Sequence, residues 1–172
     1  MEKLDLYDID FIKKGEIIDR NSPISPNRYR MVVHACIFNS KGEMLIQQRQ
    51  SFKNTWANLW DISVGGSSQA GENPRQAIYR EVKEELGLDI NFDGVRPHFT
   101  VHFSSGIDHY FLINKDVDIS SLTLQYDEVQ SAKWATEKEI LDMIDSGEFI
   151  SYHKPLIQTL FSMSKSRGAI RQ

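Results

Sequence analysis

Apolar and polar positions change period several times along the chain, and each change marks an element. From Tyr29 to Phe38 the residues are mostly apolar and often β-branched, which predicts a strand. Asn39-Ser40-Lys41-Gly42 reads as a turn and Glu43 to Arg49 as a returning strand, so the two are expected to form a hairpin. Trp60 to Val64 predicts a short strand ending at Gly65-Gly66. Val95 to Phe103 and His109 to Ile113 predict two strands joined through Ser104-Ser105-Gly106, and Val129 to Trp134 another. Upstream, Leu4 to Ile18 alternates weakly around Lys13-Lys14-Gly15-Glu16 and reads as two short strands. The stretch from Asn21 to Asn27, with two prolines, is a loop by composition.

Helical spacing appears in three places. Asn73 is placed to cap a helix that opens at Pro74, and Gly87 to end it in a left-handed conformation. Thr136 and Glu139 have the spacing of a capping box at the start of a second helix. His153 to Met163 predicts a third, followed by a loose polar tail from Lys165. The chain therefore divides into an N-terminal hairpin extension and loop (1–27), a main domain (28–164) and a tail (165–172).

The first helix carries the chemistry. Glu81, Glu84 and Glu85 stand at i, i+3 and i+4, within a sector about 100° wide. Ala77 falls in the same sector and leaves room, while Ile78, Val82 and Leu86 form the adjacent core stripe. Three carboxylates so close repel one another, by roughly 0.2–0.5 kcal/mol per pair when exposed and more when buried. A divalent cation removes that cost, and all-oxygen ligation suits Mg²⁺ or Mn²⁺. The alternative is a solvated acidic face with Arg80 and Lys83 as partners. The context favours the metal. A glycine- and serine-rich loop from Gly65 to Gly71 precedes the helix and can bring backbone close to a ligand, with the Gly65 carbonyl as a further oxygen donor. Glu72 is placed to pair with Arg80 and tie the loop to the helix.

Composition narrows the partners. With 172 residues, 40% hydrophobic, and no repeat or low-complexity tract, the chain suits one globular domain. A net charge of -4 argues against a nucleic-acid binder. The single cysteine, Cys36, lies in an apolar run and reads as a buried small hydrophobe. Neither a secretory signal nor a membrane-spanning stretch is evident, so a cytoplasmic location is expected.

From Gly66 to Leu88 the sequence reads glycine, five residues, glutamate, seven residues, then Arg-Glu-aliphatic-x-Glu-Glu-x-Gly-aliphatic, carried by Gly66, Glu72, Arg80, Glu81, Val82, Glu84, Glu85, Gly87 and Leu88. This resembles the Nudix (MutT-like) box at every defined position. The segment Leu59 to Gly66 is most similar to the subgroup related to isopentenyl-diphosphate isomerase. The resemblance implies an α+β fold, an α/β/α sandwich with a mixed sheet. It also implies metal-dependent hydrolysis of a phosphoanhydride in a nucleoside diphosphate linked to another moiety, by water attack on phosphorus. Carried over by position, Glu81, Glu84, Glu85 and the Gly65 carbonyl look like metal ligands, one glutamate doubling as base. Gly66, Glu72, Arg80 and Gly87 look like structural supports. Glu128 matches a loop glutamate that some members use as ligand or base; read alone, it is equally a solvated acid beside Asp127. A homodimer is a further expectation from the family.

Two rival functions follow from the same resemblance. The isomerases use a cysteine and a following histidine where this chain has Gly65 and Ser67. A non-catalytic nucleotide-binding module would be expected to have a damaged box, and this box is intact. Outside the box, His34 reads as a sheet histidine or a cleft-lining group. Arg49 contacts a phosphate or pairs with a box glutamate. Trp56 is placed to stack on a base and Trp60 to join the core. His98, Thr100 and His102 share one face of a predicted strand.

Overall fold

The computed structural model describes residues 2–166. Its centre is β3 (Arg30–Phe38), whose alternation sorts side chains onto two faces. Val33, Ala35 and Ile37 enter one buried cluster, while Cys36 and Phe38 enter another. The first cluster lies under α1 (Pro74–Leu86), through Ala77, Ile78, Val82 and Leu86. The second lies under α2 (Glu137–Ser146) and α3 (Lys154–Lys165), through Ile140, Met143, Ile157, Leu160 and Phe161. Helices therefore cover both faces of one sheet, the expected α/β/α sandwich. Cys36 is fully buried, as its apolar run implied.

The sheet is mixed. Along one edge β3 runs parallel to β8 (Gly106–Asn114), from Arg30↔Gly106 to Phe38↔Asn114. On the far side of β8, β7 (Phe99–Phe103) is antiparallel. β7 is shorter than the predicted Val95–Phe103 strand. His98 lies outside it, and its Nδ1 accepts a bond from the Leu112 backbone N–H at 2.8 Å. Of the predicted face, only Thr100 and His102 stand together on the strand.

The expected hairpin of β3 and β4 (Met44–Arg49) is only partly present, since the two pair at Phe38↔Met44 and then part. Beyond that point β6 (Val64–Ser67) takes the edge of β3, with His34 opposite Gly65 and Val33 opposite Gly66. β4 instead pairs with β5 (Trp60–Asp61) and β9 (Val129–Ala135). The single strand predicted over Trp60–Val64 is thus two strands, β5 and β6, serving the two sides of the opening. Fully buried Ser63 lies between them and satisfies both edges. Its hydroxyl accepts from Ile37 N at 2.8 Å and donates to the Leu45 carbonyl at 2.5 Å.

At the N-terminus, β1 (Lys3–Tyr7) and β2 (Lys13–Asp19) form a separate antiparallel pair. Leu4, Leu6 and Tyr7 are buried. The Ala70 N–H bonds the Lys3 carbonyl at 2.7 Å, and the Gly71 N–H bonds Asp5 Oδ2 at 2.7 Å. The hairpin thereby braces the loop that leads into α1. At the other end, Lys165 belongs to α3 rather than to the predicted tail, and residues 167–172 lie outside the described residues. Among the described residues, no helix is long and apolar enough to cross a membrane.

Candidate active site

α1 is fixed at both ends by its own sequence. The Asn73 side chain accepts from Arg75 N and Gln76 N, and Gln76 Oε1 accepts from Asn73 N at 2.9 Å, a capping box that uses glutamine. Gly87 closes the helix at φ 70°, and a Cβ there would meet the Thr123 side chain at 2.7 Å. The loop after Leu122 caps the same end, with Thr123 N donating to the Leu86 carbonyl and Gln125 N to the Glu85 carbonyl, both at 3.1 Å.

The helix face turned to the sheet contains two carboxylates among its apolar residues. Glu81 is 7% and Glu85 5% exposed, whereas the Glu84 side chain is 46% exposed. The acidic sector is therefore split, with two buried members and one at the surface. Ala77 packs in the core beside them. Glu81 fits because position 66 has no side chain, since a Cβ on Gly66 would coincide with the Glu81 carboxyl group. Arg80 is the hub of the cluster. Its Nε and Nη2 bond the two Glu72 oxygens at 2.8 and 3.0 Å, and Nη2 also reaches the Ser67 carbonyl at 3.1 Å. Nη1 bonds Glu81 at 2.9 Å and Glu84 at 3.1 Å. Glu72 in turn accepts from Gln69 N at 2.8 Å, so one guanidinium ties loop, strand and helix together.

Glu85 has no cationic partner among the described residues. Its carboxylate accepts one bond, from Gln47 Nε2 at 2.8 Å. Burial holds its pKa well above the usual glutamate range, and the nearby charges of Glu81, Glu128 and Asp61 push it further. Burial also raises Glu81, against the pull of Arg80. Asp61, on β5, is raised by burial while the Tyr152 hydroxyl donates to it at 2.8 Å. Among the described residues no three histidine, cysteine, aspartate or glutamate groups already converge as a ligand set. Arg80 joins Glu81 to Glu84, and Gln47 holds Glu85. Even so, two buried, mutually repelling carboxylates with one amide donor at Glu85 are chemically suited to a hard divalent cation.

A cleft of about 950 Å³ opens on the opposite face of the sheet, reached where β3 and β4 part. Gly65, Gly66 and Ser67 line it, as do four residues singled out from the sequence, His34, Arg49, Trp56 and Glu128. Glu128 lines the cleft and pairs with Lys53 at 2.6 Å. Arg49 does not pair with a box glutamate; its Nε bonds the Thr55 carbonyl at 3.4 Å. Trp56, 57% exposed, stands at the rim with φ 52°. Trp60 is half-buried against the core, under the ammonium of Lys133 at 4.5 Å from the ring centroid.

His34 stacks on Tyr110 with ring centroids 4.7 Å apart and faces Asp108 across 3.2 Å. Its Nδ1 is buried without a partner, and a Cβ on Gly65 would lie 2.7 Å from it. A cysteine at position 65, where the isomerases have theirs, would need His34 to move. Sequence reading missed Gln47, Asp61, Asp108 and Tyr152. Only Asp61 left a trace, as a lone acid in an apolar strand, because the contacts of all four are long-range.

Comparison with known proteins agrees with this fold. The NUDIX domain family model matches residues 28–158. An uncharacterized Nudix hydrolase of Listeria monocytogenes is 42% identical over 166 residues, 96% of this chain and 97% of that one. A crystal structure from Deinococcus radiodurans superposes with a TM-score of 0.76 at 27% identity, covering 92% of this chain and 99% of that one. An isopentenyl-diphosphate Delta-isomerase of Escherichia coli is a more distant match, 28% identical over 127 residues, 69% of this chain and 68% of the isomerase. Nudix hydrolases cleave pyrophosphate bonds in nucleoside diphosphate derivatives and generally use divalent metals such as Mg²⁺. With an intact box, the braced acidic helix and a family match over most of its length, the chain belongs to the Nudix hydrolases.

Proposed function

We propose that the chain hydrolyses the diphosphate linkage of a nucleoside diphosphate joined to a second moiety, with Mg²⁺ or Mn²⁺ as cofactor. The observation that carries this reading is the position of Glu81 and Glu85. Both are buried at the opening of the sheet, Glu81 against Gly66 of the cleft and Glu85 against Gln47 of β4. Glu81, Glu85 and the Gly65 carbonyl would hold the metal, with Glu84 joining once Arg80 yields it. Bound there, the metal would polarise phosphoryl oxygens and lower the pKa of water.

The chain's own residues do the rest. Arg49 and Lys53 on the cleft wall orient the diphosphate by charge. Glu128, held by Lys53 and electrostatically coupled to Glu85, is placed to take the proton of the attacking water, as is Glu85 itself. Trp56 offers a flat apolar surface at the rim for a base. Arg80 and Glu72 keep the loop closed on the helix.

The test is nucleotide release from a panel of nucleoside diphosphate compounds, with Mg²⁺, with Mn²⁺ and with EDTA. Turnover that vanishes in EDTA and in Glu85→Gln supports the reading. Turnover that persists in EDTA, or undiminished in Glu85→Gln, overturns it.

A further inference from the structure

The cleft extends well past the box. Arg30 opens β3 and projects from the same strand face as Val32 and His34, and all three line the cleft. His34 stands opposite Gly65. Arg30, four residues earlier, is therefore about 13 Å from that point along the strand.

Among the described residues, the cleft cations Arg20 and Lys53 pair with Glu2 and Glu128, whereas Arg30 and Arg49 have no carboxylate within ion-pair distance. The Arg30 Nε is buried and makes no hydrogen bond. Asp108, an acid on the same wall, is engaged by His34 instead. A buried N–H of a charged group is costly to leave without an acceptor. The guanidinium carbon stands 5.9 Å from the centre of the Phe103 ring, which limits its freedom. Gly106, opposite Arg30 in β8, keeps this space open, since a Cβ there would run into the Phe103 ring and the Arg30 carbonyl.

We propose that Arg30 forms a second anion subsite, which takes a phosphate group carried by the substrate beyond the scissile diphosphate. The forked terminal N–H groups of arginine match two oxygens of such a group. The substrate class is then a nucleoside diphosphate derivative with an additional phosphomonoester. The assignment rests on the cleft being the diphosphate site of the proposed hydrolase.

Two compound pairs differing by one ribose phosphate test it: NADP⁺ against NAD⁺, and coenzyme A against dephospho-coenzyme A. In the native protein with Mg²⁺, kcat/KM is expected to favour the phosphorylated member of at least one pair by about tenfold. Arg30→Gln should collapse that ratio towards one, and Arg30→Lys should retain part of it, with both variants checked for a native melting transition. A native ratio of one in both pairs overturns the subsite. So does an equal loss on both members in Arg30→Gln, which would mean that Arg30 holds the diphosphate itself. Calorimetric binding of the same four compounds to Glu85→Gln separates the two readings. A binding preference for the phosphorylated member that is lost in Glu85→Gln/Arg30→Gln supports the subsite, whether or not the native protein hydrolyses these four compounds. Absence of any binding preference would sink the subsite.

Discussion

The carboxyl group of Glu81 occupies the space that a side chain at Gly66 would need. The glycine that opens the box and the glutamate fifteen places later are therefore two halves of one contact, between a strand edge and the helix beneath it. Gly66→Ala forces the carboxyl aside while leaving strand pairing intact. We expect kcat to fall by roughly 10–100-fold, the range seen when groups that orient a metal ligand are lost. Steady-state kinetics beside far-ultraviolet circular dichroism would show it. Full activity in a folded Gly66→Ala protein would mean that the Glu81 carboxyl need not sit where it does.

Glu85 sets a pH dependence with a definite sign. Its pKa in the folded protein lies above the ordinary glutamate value of 4.5. Below that value the side chain is protonated whether the chain is folded or not, and its burial carries no charge penalty. As pH rises from 4.5 up to the folded pKa, the unfolded chain gives up this proton while the folded protein keeps it, and stability is lost; above the folded pKa the folded protein buries a carboxylate and the loss is complete. Glu85→Gln keeps an acceptor for Gln47 and removes the charge. In EDTA at neutral pH the variant should melt about 2–6 °C above the native protein, and the gap should close as pH falls to 4.5. Scanning calorimetry at several pH values measures this, and a variant less stable at every pH would contradict it. The same variant should be inactive, so stability and activity move in opposite directions.

Arg80 should behave as a structural hub. Replacement by alanine leaves Glu72 and Glu81 partly buried without their cation, a loss of about 2–4 kcal/mol in urea unfolding. Lysine restores the charge but not the fork, and should recover less than half of that. Because Glu72 and Arg80 share bonds at 2.8 and 3.0 Å, Glu72→Gln and Arg80→Ala should be strongly non-additive. Additive effects would show that the pair does not act as a unit.

Trp56 tests whether the rim of the cleft receives a base. If a base stacks on it, Trp56→Ala should raise KM about tenfold with little change in kcat, in keeping with stacking energies of roughly 1–3 kcal/mol per base. The positive φ at this position strains most replacements, so Trp56→Phe is the companion variant and should retain most of the affinity. An unchanged KM in Trp56→Ala would remove the residue from the binding surface.

Residues whose partners are near in sequence were the easiest to read. The caps of α1, its apolar stripe and the Glu72–Arg80 pair all follow from spacings within one strand–loop–helix unit. The alternation in β3 sets the two faces of a strand, but it does not say which strand lies beside it. That is why the β3–β4 hairpin was overstated and the β5–β6 break was missed. The opening of the sheet depends on Ser63 satisfying backbone groups of two strands at once, and nothing local marks that serine. Asp61 with Tyr152, and His34 with Asp108, meet across 91 and 74 positions, and only the folded chain brings them together.

The alternation of β3 has a consequence for how the protein can diversify. One face of its first half meets α1 through Val33 and Ala35, and the other faces the cleft through Arg30, Val32 and His34. Tolerance to mutation should therefore oscillate with a period of two along a single stretch of chain. Changes at 33 and 35 would register in protein abundance, and changes at 30, 32 and 34 in the choice of compound turned over. A lineage could exchange one set of clients for another by editing every second letter of this strand, leaving the machinery beneath it untouched.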